Sequence, residues 1–240
     1  MSSSNRPEIT LHVSPSPSAF FRETGILQCL AFSNSSITRC WSTTPNDAVL
    51  NSVDDIPSLR LYKATRDHKH RELHPGVIVV CALIDNQVVG CAAWGPPKRL
   101  WRSESLMELL YRKGIESKDF LEDWLFPSWW YSHSKRIDFN NLQKECMEKF
   151  LGPKAIDDMW YLEILCVHPD FQRRGVGSVL LDWGLERARR RGEKVYLEAS
   201  EFGKRLYDKK GFKEVGKLLA RENNEVILPC MLWVPNTIPS

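Results

Sequence analysis

The hydrophobic period changes twice along the chain, and each change marks a boundary between kinds of element. At the start, Ile9-Thr10-Leu11-His12-Val13 alternates as a short strand does. Pro15 and Pro17 end it, and Phe21, Leu27, Leu30 and Ala31 then recur at helical spacing behind an N-cap expected at Ser18. A second helical segment is predicted from near Ser52, carried by Ile56, Leu59 and Tyr62. From Val77 two β-branched runs, Val77 to Ile84 and Gln87 to Trp94, flank Asp85-Asn86 and predict a hairpin closed by Gly95-Pro96-Pro97. Leu106 to Tyr111, Phe120 to Trp130 and Phe139 to Phe150 return to helical spacing, so a helical insertion is expected over about 98–158.

From Trp160 the elements alternate: a strand to Val167, a glycine loop, a helix Ser178 to Arg191, a strand Lys194 to Glu198 and a short helix Lys204 to Lys210. Two closing strands follow, Lys213 to Leu219 and Val226 to Val234. Gly192 and Gly211 stand where C-cap glycines belong. This order predicts an α/β fold with a mixed sheet covered by helices on both faces. The serine-rich first 8 residues are expected to be disordered, with residues 9–240 forming a single domain.

Composition narrows the partners. A chain of 240 residues with 42% hydrophobic content buries a real core but is short for two domains. A net charge of +3 argues against general attraction to nucleic acid, and the run Arg187, Arg189, Arg190 and Arg191 suits a solvated helix end. The seven cysteines, Cys29, Cys40, Cys81, Cys91, Cys146, Cys166 and Cys230, lie mostly in apolar runs without CxxC spacing and read as reduced core thiols. With no signal segment and no apolar stretch near the ~20 residues a span requires, a cytoplasmic protein is expected, with the nucleus left open and no membrane partner.

The chemistry concentrates in Gln172-Arg173-Arg174-Gly175-Val176-Gly177-Ser178. A glycine loop between a buried strand and a helix can point main-chain N–H groups at an anion, helped by the helix dipole. Gly175 and Gly177 leave room for phosphate oxygens, and Arg173 and Arg174 supply charged donors, so a pyrophosphate is the implied ligand. There is no GxxxxGK[ST], and GxGxxG fails at Leu180.

What remains, Q-x-x-G-x-G after Val167-His168-Pro169, resembles the pyrophosphate loop of the GNAT (Gcn5-related N-acetyltransferase) family. Leu206-Tyr207-Asp208-Lys209-Lys210-Gly211-Phe212 is similar to that family's second landmark, L-Y-x-x-x-G-F. The resemblance covers Trp160 to Val215 firmly and extends to the hairpin. It implies a mostly antiparallel twisted sheet, acetyl-CoA as cosubstrate with no metal, and direct attack of an amine on the thioester through a tetrahedral intermediate. It further implies that Leu165, Cys166 and Val167 hold the pantetheine arm, that Gln172 to Ser178 hold the diphosphate, and that Tyr207 is the general acid for the leaving thiolate. Ser200 stands where the family often has asparagine contacting the cofactor.

A neutral attacking amine also needs a base. Glu163, the only charge between Trp160 and Cys166, is the first candidate and Glu198 the second. Each role has a structural alternative: Tyr207 packing on Phe212, and Glu163 bonded to a tryptophan N–H or to main-chain groups. Cys166 is read as an inert strand thiol, and His168 has no assigned role. Trp124, Phe126, Trp129, Trp130 and Tyr131 read either as walls of a pocket for a flat or apolar amine or as the core of the inserted helices. The expected acceptor is a small-molecule primary amine. The rivals are a protein acetyltransferase acting on lysine or an amino terminus, and a CoA-binding module without turnover. A monomer or homodimer is expected.

Overall fold

The structure, a computed structural model, describes residues 8–14, 20–33, 35, 37, 50–126, 133–220 and 226–235, with 133 and 134 as backbone alone. The elements are β1 (Thr10–Val13), α1 (Phe21–Ala31), α2 (Ser58–Leu73), β2 (Ile78–Ile84), β3 (Gln87–Gly95), α3 (Leu106–Leu125) and α4 (His133–Leu151). They continue as β4 (Trp160–Val167), α5 (Val176–Arg191), β5 (Val195–Glu198), α6 (Lys204–Lys209), β6 (Lys213–Ala220) and β7 (Val226–Trp233). The strands form one sheet in the order β1-β2-β3-β4-β5-β7-β6. Neighbours run antiparallel except β4 and β5, which run parallel. The expected mixed, mostly antiparallel sheet is therefore the fold.

Local chemistry explains the parts that matter for the site. Asp85 and Asn86 take φ of 49° and 63°, the paired positive values that a two-residue hairpin loop requires. On one face of the sheet α5 lays Leu180, Leu181 and Ala188 against Val80, Trp94, Trp160 and Leu162. On the other, α1 sets Leu27 against Val79, Cys91 and Cys166. Further along that second face, α4 sets Phe139 and Cys146 against Tyr196, Leu218 and Leu228. The six described cysteines are buried and free, and Cys40 lies outside the described residues.

The close approach of α5 gives a stability prediction. A Cβ on Gly184 would lie 2.4 Å from the buried Trp94 ring. Alanine gains about 1 kcal/mol over glycine in a helix interior, but overpacking a rigid core costs about 1–3 kcal/mol. Gly184→Ala is expected to be net destabilising by about 1 kcal/mol, lowering the thermal midpoint by about 2–4 °C in calorimetry.

Two expectations need correction. The second helix begins at Ser58 after Pro57, with a 3-10 turn at Val53–Asp55 capped by Ser52, and its apolar residues Leu59 and Tyr62 are 41% and 42% exposed. Its buried residues are Arg60, Lys63, Ala64 and His68: Arg60, Lys63 and Ala64 line a cavity, and Ala64 also joins Leu61 and Ile56 in an apolar cluster with Cys29 and Leu30 of α1. In α3, Trp124 is 70% and Phe126 closes the helix 73% exposed, so neither builds a core. The helix meets α2 largely through polar pairs: Lys63 and Arg66 bind Asp123, His70 binds Asp119, and the Tyr62 hydroxyl donates to Glu122. Trp129, Trp130, Tyr131 and the Ser18 N-cap lie outside the described residues.

Candidate active site

The site begins where the sheet opens. β4 and β5 pair only at Trp160 with Val195 and Tyr161 with Tyr196, although β4 runs on to Val167 and β5 to Glu198. Past Tyr161 the two parallel strands part, leaving one edge of β4 without a strand partner. The His168 N–H donates to the Val89 carbonyl at 2.9 Å, and the antiparallel ladder alternates from there. Cys166 consequently turns its main-chain groups toward β3, while Leu165 and Val167 turn theirs into the gap. Of the three residues expected to present their backbone, the structure offers these two. The Cys166 thiol sits 3.2 Å from that of Cys91, 2% exposed, in the core under α1.

A bulge places the candidate base. Ala93 pairs with Ile164 and Trp94 with Leu162, so Glu163 is the extra residue in the ladder. Such a residue is re-aimed relative to the strand's alternation. Here it enters a cavity of about 760 Å³ bounded by α2, α3, α4 and the open end of the β4–β5 gap.

The loop after β4 is tied down by Gln172, whose Nε2 donates to the Val167 carbonyl at 3.2 Å. Arg173 and Gly175 then take φ of 61° and 93°, and α5 starts at Val176. The first main-chain bond into the helix runs from Val179 N–H to the Gly175 carbonyl. Among the described residues, no hydrogen bond takes up the main-chain N–H groups of residues 173 to 178. Several donors are thus left facing out at a helix start, where the dipole favours an anion. The two glycines differ in what surrounds them. A Cβ on Gly175 would meet nothing within 4 Å, whereas one on Gly177 would touch Leu206, Leu165 and Val167 at 3.4–3.7 Å. Gly175 is the open rim, and Gly177 faces the gap. Arg173 and Arg174 are exposed beside the loop, the second lying 5.2 Å over the Phe171 ring, and Ser178 is half-buried in the first turn.

Tyr207, Ser200 and Leu165 line the same cavity as Glu163 and Glu198. The topology thus brings all three catalytic candidates to one place. Tyr207 is 7% exposed and edge-on to Phe212, and burial, with Cys166 nearby, holds its phenol above the usual range, so it stays protonated. The Ser200 hydroxyl oxygen accepts from Gly203 N–H at 3.2 Å and keeps its own hydrogen to donate. Burial raises the Glu163 carboxyl, opposed by Arg71, whose Nε lies 3.7 Å from Oε2. The Glu163 side chain nonetheless stays 27% exposed, because the protein around it is concave and open to the cavity. Burial also raises Glu198, opposed by hydrogen bonds from Tyr161, Tyr196 and Gln143, those of Tyr161 and Gln143 reaching its Oε2 at 2.8 and 3.3 Å. The carboxylate that does serve a tryptophan is Glu193, 2.6 Å from Trp160 Nε1. His168 caps the turn after β4, its Nδ1 accepting from Asp170 N–H.

Sequence reasoning missed most of the residues that line this cavity. Its walls mix charged pairs with apolar side chains: Lys63 and Arg66 on Asp123, His70 on Asp119, and Arg136 on Asp67, with Phe32, Phe120 and Phe139 between them. Trp124 and Phe126 do not reach it. The available signal was the recurrence of Arg60, Ala64, Asp67 and Arg71 on one face of α2. Among the described residues no cluster suits a metal ion, and no helix is long and apolar enough to cross a membrane.

Comparison with known proteins bears on this geometry. Residues 139–227 match the model of the acetyltransferase (GNAT) domain. No curated protein sequence matches the chain. Solved structures share the fold at low identity. A Corynebacterium glutamicum structure described as histone acetyltransferase and related acetyltransferase is 18% identical with TM-score 0.54, over 96% of this chain and 99% of that one. A Drosophila melanogaster polyamine N-acetyltransferase, which forms N-acetylagmatine, is 12% identical with TM-score 0.53, over 95% and 100%. A mosquito protein described as arylalkylamine N-acetyltransferase-like 5b is 13% identical with TM-score 0.50, over 95% and 100%.

Proposed function

We propose that this protein, whose residues 139–227 match the GNAT acetyltransferase domain, transfers an acetyl group from acetyl-CoA to the primary amine of a small molecule. The observation that supports this most is one cavity shared by the β4–β5 gap, Tyr207 and the carboxyls of Glu163 and Glu198, beside a helix start whose amides are unpaired among the described residues. The residues fit the cosubstrate. Amides of residues 173 to 178 with Arg173 and Arg174 take the diphosphate, and the backbone of Leu165 and Val167 takes the pantetheine arm. The Ser200 hydroxyl is free to donate to it.

Within the cavity Glu163 accepts the amine's proton, directly or through water, and the neutral nitrogen attacks the thioester carbonyl. As the C–S bond breaks, the Tyr207 hydroxyl donates its proton to the departing sulfur. Glu198, fixed by Tyr161 and Gln143, is the alternative base. A site walled by α2, α3 and α4 suits a small acceptor better than a chain segment. The amine acceptors of the Drosophila and mosquito proteins agree with an amine here.

The base assignment predicts a pH profile. Because burial raises the Glu163 carboxyl, kcat/KM rises with pH along a limb whose inflection lies above the ordinary glutamate value of about 4.3. Glu163→Gln is expected to lower kcat by about 10²–10³-fold and to remove that limb. If Glu198→Gln removes it instead, the base is Glu198. Thiol release in a panel of amines, arylalkylamines and lysine peptides tests the function itself. Turnover with small amines and not peptides supports the proposal. Turnover with peptides alone makes this a protein acetyltransferase, and CoA binding without any turnover makes it a binding module.

A further inference from the structure

Arg71 is the charged residue of the cavity that its surroundings leave least satisfied. The other cations on these walls are matched, Lys63 and Arg66 to Asp123 at 2.8 Å and Arg136 to Asp67, and His70 is hydrogen-bonded to Asp119 at 2.7 Å. Arg60 also has a partner. Arg71 makes no hydrogen bond among the described residues: its Nε lies 3.7 Å from Glu163 Oε2, too long for one, its charge also acts on Asp67 one turn back, and its Nη1 is buried without a hydrogen-bond partner there. Leaving a guanidinium N–H buried and unpaired is costly, so a group that supplies the acceptor oxygen is strongly favoured there.

The position of Arg71 defines which group it would bind. Arg71 and Glu163 point into one cavity side by side, the first a fixed cation with free donors, the second the candidate base. An acceptor bearing a second positive charge near its nitrogen would meet Arg71 as a like charge. An acceptor bearing a carboxylate one or two carbons from its nitrogen sets the nitrogen at Glu163 and the carboxylate on the planar guanidinium, whose donors match two carboxylate oxygens. Resting on the acetyl-transfer reading above, we propose that the acceptor is an amine carrying an adjacent carboxylate, an amino acid or close relative, and that Arg71 selects it by binding that carboxylate.

The test compares each amino acid with the amine that lacks only its carboxylate: arginine with agmatine, histidine with histamine, tryptophan with tryptamine. Calorimetry on the CoA-loaded protein and thiol release with acetyl-CoA are run on the wild type and on Arg71→Gln, with the CoA dissociation constant of the variant as the folding control. In at least one pair the carboxylated member is expected to be preferred by tenfold or more in both binding and kcat/KM. Arg71→Gln is expected to erase that preference by raising KM for the carboxylated member, because Gln cannot form the charged, paired contact. Both members of a pair share the same base, so any shift in Glu163 cancels in the ratio. Preference for the decarboxylated member throughout, no binding of any carboxylated member, or an equal loss on both members in Arg71→Gln would each overturn the proposal. Consumption of acetyl-CoA with the decarboxylated amines would leave the transferase reading intact, whereas absence of CoA binding would remove that reading first.

Discussion

Gly175→Asp is expected to weaken coenzyme A binding by at least about a hundredfold while leaving a cooperative thermal transition in place. Both halves follow from the surroundings of residue 175. Its φ of 93° is one that an L-residue adopts only with strain of order 1–3 kcal/mol, but a Cβ there points into open space and displaces no neighbour. The folded chain can absorb that much. The diphosphate cannot absorb a carboxylate on the rim of its cradle: at ~5 Å and an effective dielectric of ~20, repulsion between single charges is about 3 kcal/mol, or roughly two orders of magnitude in affinity. Gly175→Ala carries the strain without the charge and should weaken binding much less. Calorimetric titration of both variants with coenzyme A, beside their melting curves, separates the two contributions. Equal affinity in Gly175→Asp and the wild type would mean that the loop does not hold the diphosphate.

Tyr207→Phe is the second large effect. The substitution keeps the ring that packs edge-on to Phe212 at 5.7 Å and removes only the hydroxyl. If that hydroxyl protonates the leaving thiolate, kcat falls by about 10²-fold with little change in the melting curve, in the range general acid catalysis supplies. The raised phenol pKa favours this role, since the group arrives protonated across the working pH range. A Tyr207 that served packing alone would leave kcat in the thiol-release assay unchanged, because phenylalanine reproduces the contact.

The parts of this architecture legible in the sequence are those decided by neighbours along the chain. The Asp85-Asn86 turn declares itself by residue type, and Gln172 to Ser178 is a run of consecutive residues that turns at Gly175 into the start of α5. Legibility failed where distant segments decide. In β4 both faces are buried, so Trp160 to Val167 is apolar nearly throughout, and nothing in that run betrays the skipped pairing that re-aims Glu163. Glu198 is held by Tyr161 and Gln143, 37 and 55 positions away, which no local pattern contains. In α2 the apolar Leu59 and Tyr62 face outward and Arg60, Lys63, Asp67 and Arg71 line the cavity, while Leu61 and Ala64, with Ile56 before the helix, pack on α1, a division that no single apolar period contains. The aromatic residues of α3 misled for the converse reason: hydrophobicity alone does not say which side of a helix finds a partner.

The claim on which the rest depends is that the main-chain amides of residues 173 to 178 take the diphosphate of coenzyme A. The most direct measurement is the set of amide nitrogen and proton chemical shifts of these residues during titration with coenzyme A and, separately, with pantetheine. The account predicts large saturable shifts across residues 173 to 178 with coenzyme A, and little movement there with pantetheine, which lacks the diphosphate. Unmoved loop amides at saturating coenzyme A would contradict it.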